Sequence, residues 1–111
     1  MIFLHLLLAF LATAPIAIST TGYYAGYEPA TVRVRVTLDP HPDNRILCVA
    51  YDGTGDAGSS CWDVDGSAPR TTWKEFRSLA AGEYTVMAQV TRAGGKVYSA
   101  SAQFIVSSRR G

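Results

Sequence analysis

The sequence predicts an all-β sandwich of six to seven short antiparallel strands, carried behind an N-terminal secretion leader. Three observations lead there. From Thr31 onward apolar and polar residues alternate with period 2 over several runs of five to ten residues. Clusters of Gly, Pro, Asp and Asn separate these runs. The first nineteen residues hold no Lys, Arg, Asp or Glu, so all ten basic and nine acidic residues lie in the rest of the chain. With 111 residues there is room for one domain. The near-balanced charge, formally +1, lacks the basic excess of a nucleic-acid-binding surface, so no nucleic-acid partner is expected.

Ile2 to Ile18 is apolar except at His5, Thr13 and Pro15. Its dense part, Leu4 to Leu11, is too short to cross a bilayer comfortably as a helix, and Pro15 breaks such a helix. Small residues follow: Ala12, Thr13, Ala14, Ala17 and Ser19. An apolar core followed by small residues is the order of a signal peptide, although the start carries no Lys or Arg. Residues 1–19 are read as the signal, with cleavage after Ser19 on Ala17-Ile18-Ser19; a cut after Ala14 is disfavoured by the proline that follows. A retained anchor and a buried core strand are the alternatives. A cleaved signal leaves no stable membrane anchor and implies a secreted or periplasmic product.

Residues 20–30 have no period and are read as a linker holding Tyr23, Tyr24 and Tyr27. The domain proper spans 31–107. Its first strand sets Val32, Val34, Val36 and Leu38 against Arg33, Arg35 and Thr37, and Asp39-Pro40-His41-Pro42-Asp43-Asn44 stops it. The second, Arg45 to Asp52, offers Leu47, Val49 and Tyr51 to the core, which turns Ile46, Cys48 and Ala50 outward. A Gly-rich loop leads to the third strand, Ser60 to Val64, with Trp62 and Val64 inward and Cys61 outward. The fourth, Thr71 to Phe76, carries Trp73 and Phe76 in opposite parity. A bulge, a change of direction or a solvent-facing aromatic is required. The fifth, Glu83 to Arg92, buries Tyr84, Val86, Ala88 and Val90. Gly94-Gly95 makes a hairpin to the sixth, Val97 to Val106, with Tyr98, Ala100, Ala102, Phe104 and Val106 inward. Residues 108–111 form a polar tail with Arg109 and Arg110.

Cys48 and Cys61 are an even pair in a small exported chain, and both point outward on neighbouring strands. A disulfide closing that loop stabilises by ~3 kcal/mol in the chain-entropy picture. The alternative is two reduced thiols. Two Cys and a distant His41 do not make a metal ligand set.

The stretch Leu79, Gly82, Tyr84 matches Leu-x-x-Gly-x-Tyr ahead of an alternating strand. It resembles the E–F corner of fibronectin type III and bacterial immunoglobulin-like domains, and Gly94-Gly95 resembles their F–G turn. The resemblance implies an immunoglobulin-like β-sandwich and a structural tyrosine corner, in which the Tyr84 hydroxyl bonds an upstream backbone group. The position two after Tyr84 is Val86, so the usual inter-sheet disulfide is absent. These families are mostly binding, adhesive or spacer modules, and the fold hosts many functions.

Candidate chemistry is sparse. Asp63 and Asp65, near Asp52 and Asp56, have a spacing that suits Ca²⁺, but no complete loop pattern accompanies them; turn-forming Asp beside Gly is the plainer reading. His41, the only histidine after the signal, sits between two prolines with no nucleophile-elbow pattern to pair it with Ser59 or Ser60. Glu75 and Glu83 read as solvent-facing charges rather than a glycosidase pair. Arg33 and Arg35 share an outward face and offer themselves to an acidic partner or anionic glycan. Trp62 and Trp73, with the linker tyrosines, are candidates for an aromatic platform under sugar rings, against a default of core packing. The expected function is a non-catalytic protein-interaction or structural module with an unknown protein or glycan partner and no cofactor. The alternatives are a carbohydrate-binding domain using exposed aromatics and a small secreted enzyme or enzyme inhibitor.

Overall fold

The strict alternation of 31–38 becomes a strand whose valines are all sealed from water. In the computed structural model, which describes residues 15–20 and 24–108, this strand is flanked by seven others. In chain order they are β1 (Ile16–Thr20), β2 (Tyr24–Tyr27), β3 (Ala30–Leu38), β4 (Asn44–Gly53), β5 (Ala57–Asp63), β6 (Thr71–Leu79), β7 (Gly82–Arg92) and β8 (Val97–Ser107). They form two sheets, a three-stranded one in the order β1-β3-β6 and a five-stranded one in the order β2-β8-β7-β4-β5. All neighbours run antiparallel except β2 and β8, which are parallel.

The inner faces follow the period-2 pattern. Val32, Val34, Val36 and Leu38 of β3 face Leu47 and Val49 of β4, Val86, Ala88 and Val90 of β7, and Phe104 and Val106 of β8. At one end the rings of Tyr51, Phe76, Tyr84 and Phe104 pack together. Tyr84 stacks on Phe104 at 5.0 Å between centroids, and Tyr51 leans on Phe76 at 4.6 Å. Apolar side chains buried this way stabilise by about 1.5–3 kcal/mol each, before the entropy of ordering is counted.

Two strands lie where none was expected. Ile16–Thr20, in and just after the segment read as signal, is β1; it pairs with β3 from Ile16↔Leu38 to Thr20↔Val34, and Ile16 is 2% exposed. Tyr24–Tyr27, read as linker, is β2, and its pairing to β8 is interrupted by a bulge between Tyr24 and Gly26. The count among the described residues is therefore eight rather than six or seven. The Gly–Tyr composition of 22–27 hides β2, because a short parallel edge strand with a bulge has no clean period 2. The remainder of the signal reading, Met1 to Ala14, lies outside the described residues, as do Tyr23 and the tail residues Arg109 and Arg110.

Asn44 stands in the run read as a strand stop, yet it is fully buried. Its amide nitrogen donates to the Asp39 carbonyl at 3.1 Å, and its oxygen accepts from Arg92 Nε at 3.1 Å. It ties the β3–β4 turn to the end of β7. Among the described residues no helix is long and apolar enough to cross a membrane.

Candidate functional site

The outer face of the three-stranded sheet is built by simple alternation. Because β3 buries its valines, Thr31, Arg33, Arg35 and Thr37 point to solvent. On β6, Phe76 faces the core, so Trp73 and Glu75 face outward with the arginines. The parity conflict between the two aromatics is thus resolved by Trp73 facing water, where it is 50% exposed. The strand departs from regularity only beyond Phe76, where Ser78 takes φ 60° and lets Leu79 return to the core.

Register then sets the chemistry. Arg35 lies opposite Trp73 on β6 and opposite Ser19 on β1, and Arg33 lies opposite Glu75. Glu75 is engaged by Arg77, whose Nε donates to its carboxylate at 2.7 Å. The Arg33 guanidinium instead covers the indole of Trp73, 4.6 Å from the ring centroid. Such an exposed cation–π contact is worth about 0.5–1 kcal/mol. Among the described residues neither Arg33 nor Arg35 has an ion-pair partner. Their Cα atoms are ~7 Å apart along one strand. The result is a cationic patch around a half-exposed indole.

Trp62 is not part of it. It sits on the inner side of β5, packed partly against the core, with the Lys74 ammonium 5.7 Å from its ring. Lys74 occupies an inward-facing position on β6, an edge strand of its sheet. Beside Trp62 opens a cavity of about 280 Å³ lined by Leu38, Leu47, Val64 and Pro69, with Asp63 and Asp65 among its walls. The four candidate binding residues thus divide: Arg33, Arg35 and Trp73 share one face, and Trp62 belongs to the flank between the sheets.

The two cysteines are in register on β4 and β5 and are bridged on the outer face of the five-stranded sheet, with Cα atoms 4.1 Å apart. Tyr84 is 3% exposed, and its hydroxyl donates to the Ala80 carbonyl at 2.6 Å, the geometry of a tyrosine corner. Leu79 is fully buried, and Gly82 adopts φ +153° at the start of β7. Burial raises the Tyr84 pKa above 10.0, with smaller contributions from Asp56, Tyr51 and Glu28. Tyr51 is raised for the same first reason, then by Asp56.

The remaining candidates are scattered. Asp65 accepts from the Ser67 amide and hydroxyl at 2.8 and 2.6 Å, which lowers its pKa. Among the described residues no group of three or more His, Cys, Asp or Glu side chains converges as a metal site. His41 Nδ1 accepts from the Asp43 amide at 3.0 Å in the turn before β4, whereas Ser59 and Ser60 lie along β5 opposite Ala50 and Val49. Glu75 and Glu83 project from different sheets. The buried Asn44 clamp and the inward Lys74 were not singled out from sequence. Asn44 has the composition of a turn, and Lys74 declares itself only once Phe76 fixes the parity of β6.

No family model and no curated protein sequence matches this chain. Solved structures do resemble it. The sulfur carrier protein SoxY from Chlorobium limicola f thiosulfatophilum aligns at a TM-score of 0.66 with 19% identity, over 85% of this chain and 76% of that one. Superoxide reductase (neelaredoxin) from Ignicoccus hospitalis aligns at 0.56 with 14% identity, over 85% and 80%. The fn3 domain of human collagen alpha-1(XX) chain aligns at 0.51 with 18% identity, over 87% and 83%. At such identities the likeness is one of fold: an immunoglobulin-like β-sandwich.

Proposed function

We propose that the protein is an exported, non-catalytic binding module that engages an acidic partner through the outer face of its three-stranded sheet. The observation that carries this is the placement of Arg33 and Arg35, without ion pairs among the described residues, around the half-exposed Trp73. Guanidinium groups held by a strand and an indole suit planar carboxylate or sulfate groups, which they bind bidentately. Export is supported by the apolar leader in the sequence and by the Cys48–Cys61 bridge, since disulfides persist in oxidising compartments. The secreted and periplasmic locations are both consistent with it. The non-catalytic reading is supported by His41 being engaged in its own turn and by the separation of the acids. Fold likeness to a sulfur carrier and a superoxide reductase does not transfer their roles, because one fold hosts many functions.

Carbohydrate recognition is a second reading, favoured by the half-exposed indole of Trp73, since aromatic rings offer sugars a stacking surface. Titration of the purified protein with polyglutamate, a polyuronic acid and a neutral polysaccharide separates the two. Binding to both acidic polymers that weakens with added salt supports the first. Salt-insensitive binding to the neutral polymer alone supports the second. Equal binding by an Arg33→Ala/Arg35→Ala variant overturns the first.

A further inference from the structure

Among the described residues β5 is an edge strand of the five-stranded sheet, and two hydrogen bonds fix which of its backbone groups are spent. The Val64 amide donates to the Arg45 carbonyl at 2.9 Å, and the Gly53 amide donates to the Asp56 carbonyl at 2.9 Å. In an antiparallel pair, residues that exchange both bonds alternate with residues that exchange none. Carried through the register, that alternation bonds Gly58, Ser60 and Trp62 to Tyr51, Val49 and Leu47. Ala57, Ser59, Cys61 and Asp63 therefore turn their N–H and C=O groups away from β4. The bridged pair Cys48–Cys61 falls in the unbonded set, in agreement with its short Cα separation of 4.1 Å.

The edges of the sandwich are not alike. β1 and β2 are five and four residues long, and β2 is bulged. β6 carries the inward Lys74. Over its seven residues β5 has no proline, lysine or arginine, and its one charge, Asp63, stands at its end. It lacks the bulge, the proline and the inward charge that blunt an edge.

The floor beside that edge is apolar and carries a cation. Tyr51, Trp62 and Val64 are half-buried on its inner side. Gly58 has no side chain, and the Tyr51 ring lies in its place: a Cβ there would fall 2.7 Å from Cε1. The cavity of about 280 Å³ continues the floor past Trp62. The Lys74 ammonium reaches over Trp62 from the other sheet, 5.7 Å from the ring centroid. It has no ion-pair partner among the described residues, and Asp65 on the cavity wall is engaged by Ser67.

We propose that the edge of β5 binds an extended segment of a protein partner as an added strand, with an inward carboxylate on Lys74 and an inward apolar side chain against Trp62. Such a strand lies about 4.8 Å beyond β5, and every second side chain faces the floor. Main-chain bonds supply affinity and the alternate side chains supply selectivity. The site is separate from the Arg33–Trp73 patch, which lies on the outer face of the other sheet.

The probe is a short synthetic peptide alternating threonine with valine around one central glutamate. Trp73→Phe leaves Trp62 as the only tryptophan, so its fluorescence reports binding. A peptide with lysine in place of the glutamate is expected to bind about tenfold more weakly, and Lys74→Glu to reverse the preference. Of two peptides N-methylated on alternate amides, only the one whose free amides face β5 binds. Ser59→Pro removes an outward N–H and spares the bonds to β4, so affinity falls on the order of tenfold in protein that still melts cooperatively. No binding at ~1 mM peptide, equal binding of both methylated peptides, or a Lys74→Glu variant with unchanged preference overturns the proposal. Binding kept in Arg33→Ala/Arg35→Ala supports it. Loss in that variant places the peptide on the outer face, which overturns this site and leaves the proposed function standing.

Discussion

The Arg33 guanidinium lies 4.6 Å above the indole of Trp73, and together they form the centre of the outer face of the three-stranded sheet. The cation lies over the ring, and the indole stays half exposed. Removing either partner is expected to separate binding from stability.

Trp73→Ala is the direct test of that surface. The residue is half exposed and contributes nothing to the buried cluster, so stability is expected to change by about 0.5–1 kcal/mol, the worth of the cation–π contact. Affinity for an acidic polymer is expected to fall in parallel with Arg33→Ala. Calorimetric titration beside a thermal melt of each variant reads both quantities.

Tyr84→Phe removes the hydroxyl that reaches the Ala80 carbonyl and leaves the ring stacked on Phe104. A loss of about 1 kcal/mol is expected, seen as a Tm lower by ~4–8 °C. An unchanged melt would strip the corner of its energetic role.

Gly53 faces the same tyrosine. A Cβ there would sit 2.5 Å from Cδ1 and 2.6 Å from Cε1 of Tyr84, and 2.8 Å from the Glu83 carbonyl oxygen. The ring is held by its hydroxyl and by Phe104, and the carbonyl is backbone, so neither yields easily. Gly53→Ala is expected to destabilise by about 1–3 kcal/mol in urea unfolding.

Alkaline titration tests the buried phenols. Tyr84 and Tyr51 both have pKa values raised above 10.0 in the fold, chiefly by burial. Their neutral forms are favoured by folding, so the folded state holds more protons than the unfolded state above that value. The stabilisation is full below pH 10.0 and is lost as pH rises through the raised values. Urea midpoints measured from neutral pH upward are expected to fall above pH 10, and less steeply in Tyr51→Phe/Tyr84→Phe.

Reducing the Cys48–Cys61 bridge releases a loop with a sequence separation of 13. A loss of about 3 kcal/mol is expected by chain entropy, measured as a shift in urea midpoint with and without reductant. Cys48→Ala/Cys61→Ala is expected to behave like the reduced protein.

β3, β4, β7 and β8 were legible because each buries one face and alternates visibly, as with Val32–Leu38 and Tyr84–Val90, whereas β5 and β6 were read as strands from short runs around Trp62 and Trp73. The parity of Leu47, Val49 and Tyr51 correctly turned Cys48 outward, and that of Trp62 did the same for Cys61. The two N-terminal strands were not legible. Ile16–Ser19 is read as leader because its apolar character serves both a signal and a core strand, and composition does not distinguish them. Residues 24–27 are read as linker because a short strand pairing in parallel across a bulge has no period to detect. The candidate site was half legible: alternation placed Arg33 and Arg35 together. Trp73 joined them only when the structure fixed which aromatic of β6 faces water.

Lys74 gives the open flank a polarity of purpose. It points inward from β6, which among the described residues is an edge strand of the three-stranded sheet. Two molecules joining edge to edge along β6 would have to desolvate both ammonium groups, which costs free energy. An inward-pointing charge on an edge strand is a device that discourages a second sheet from adding there.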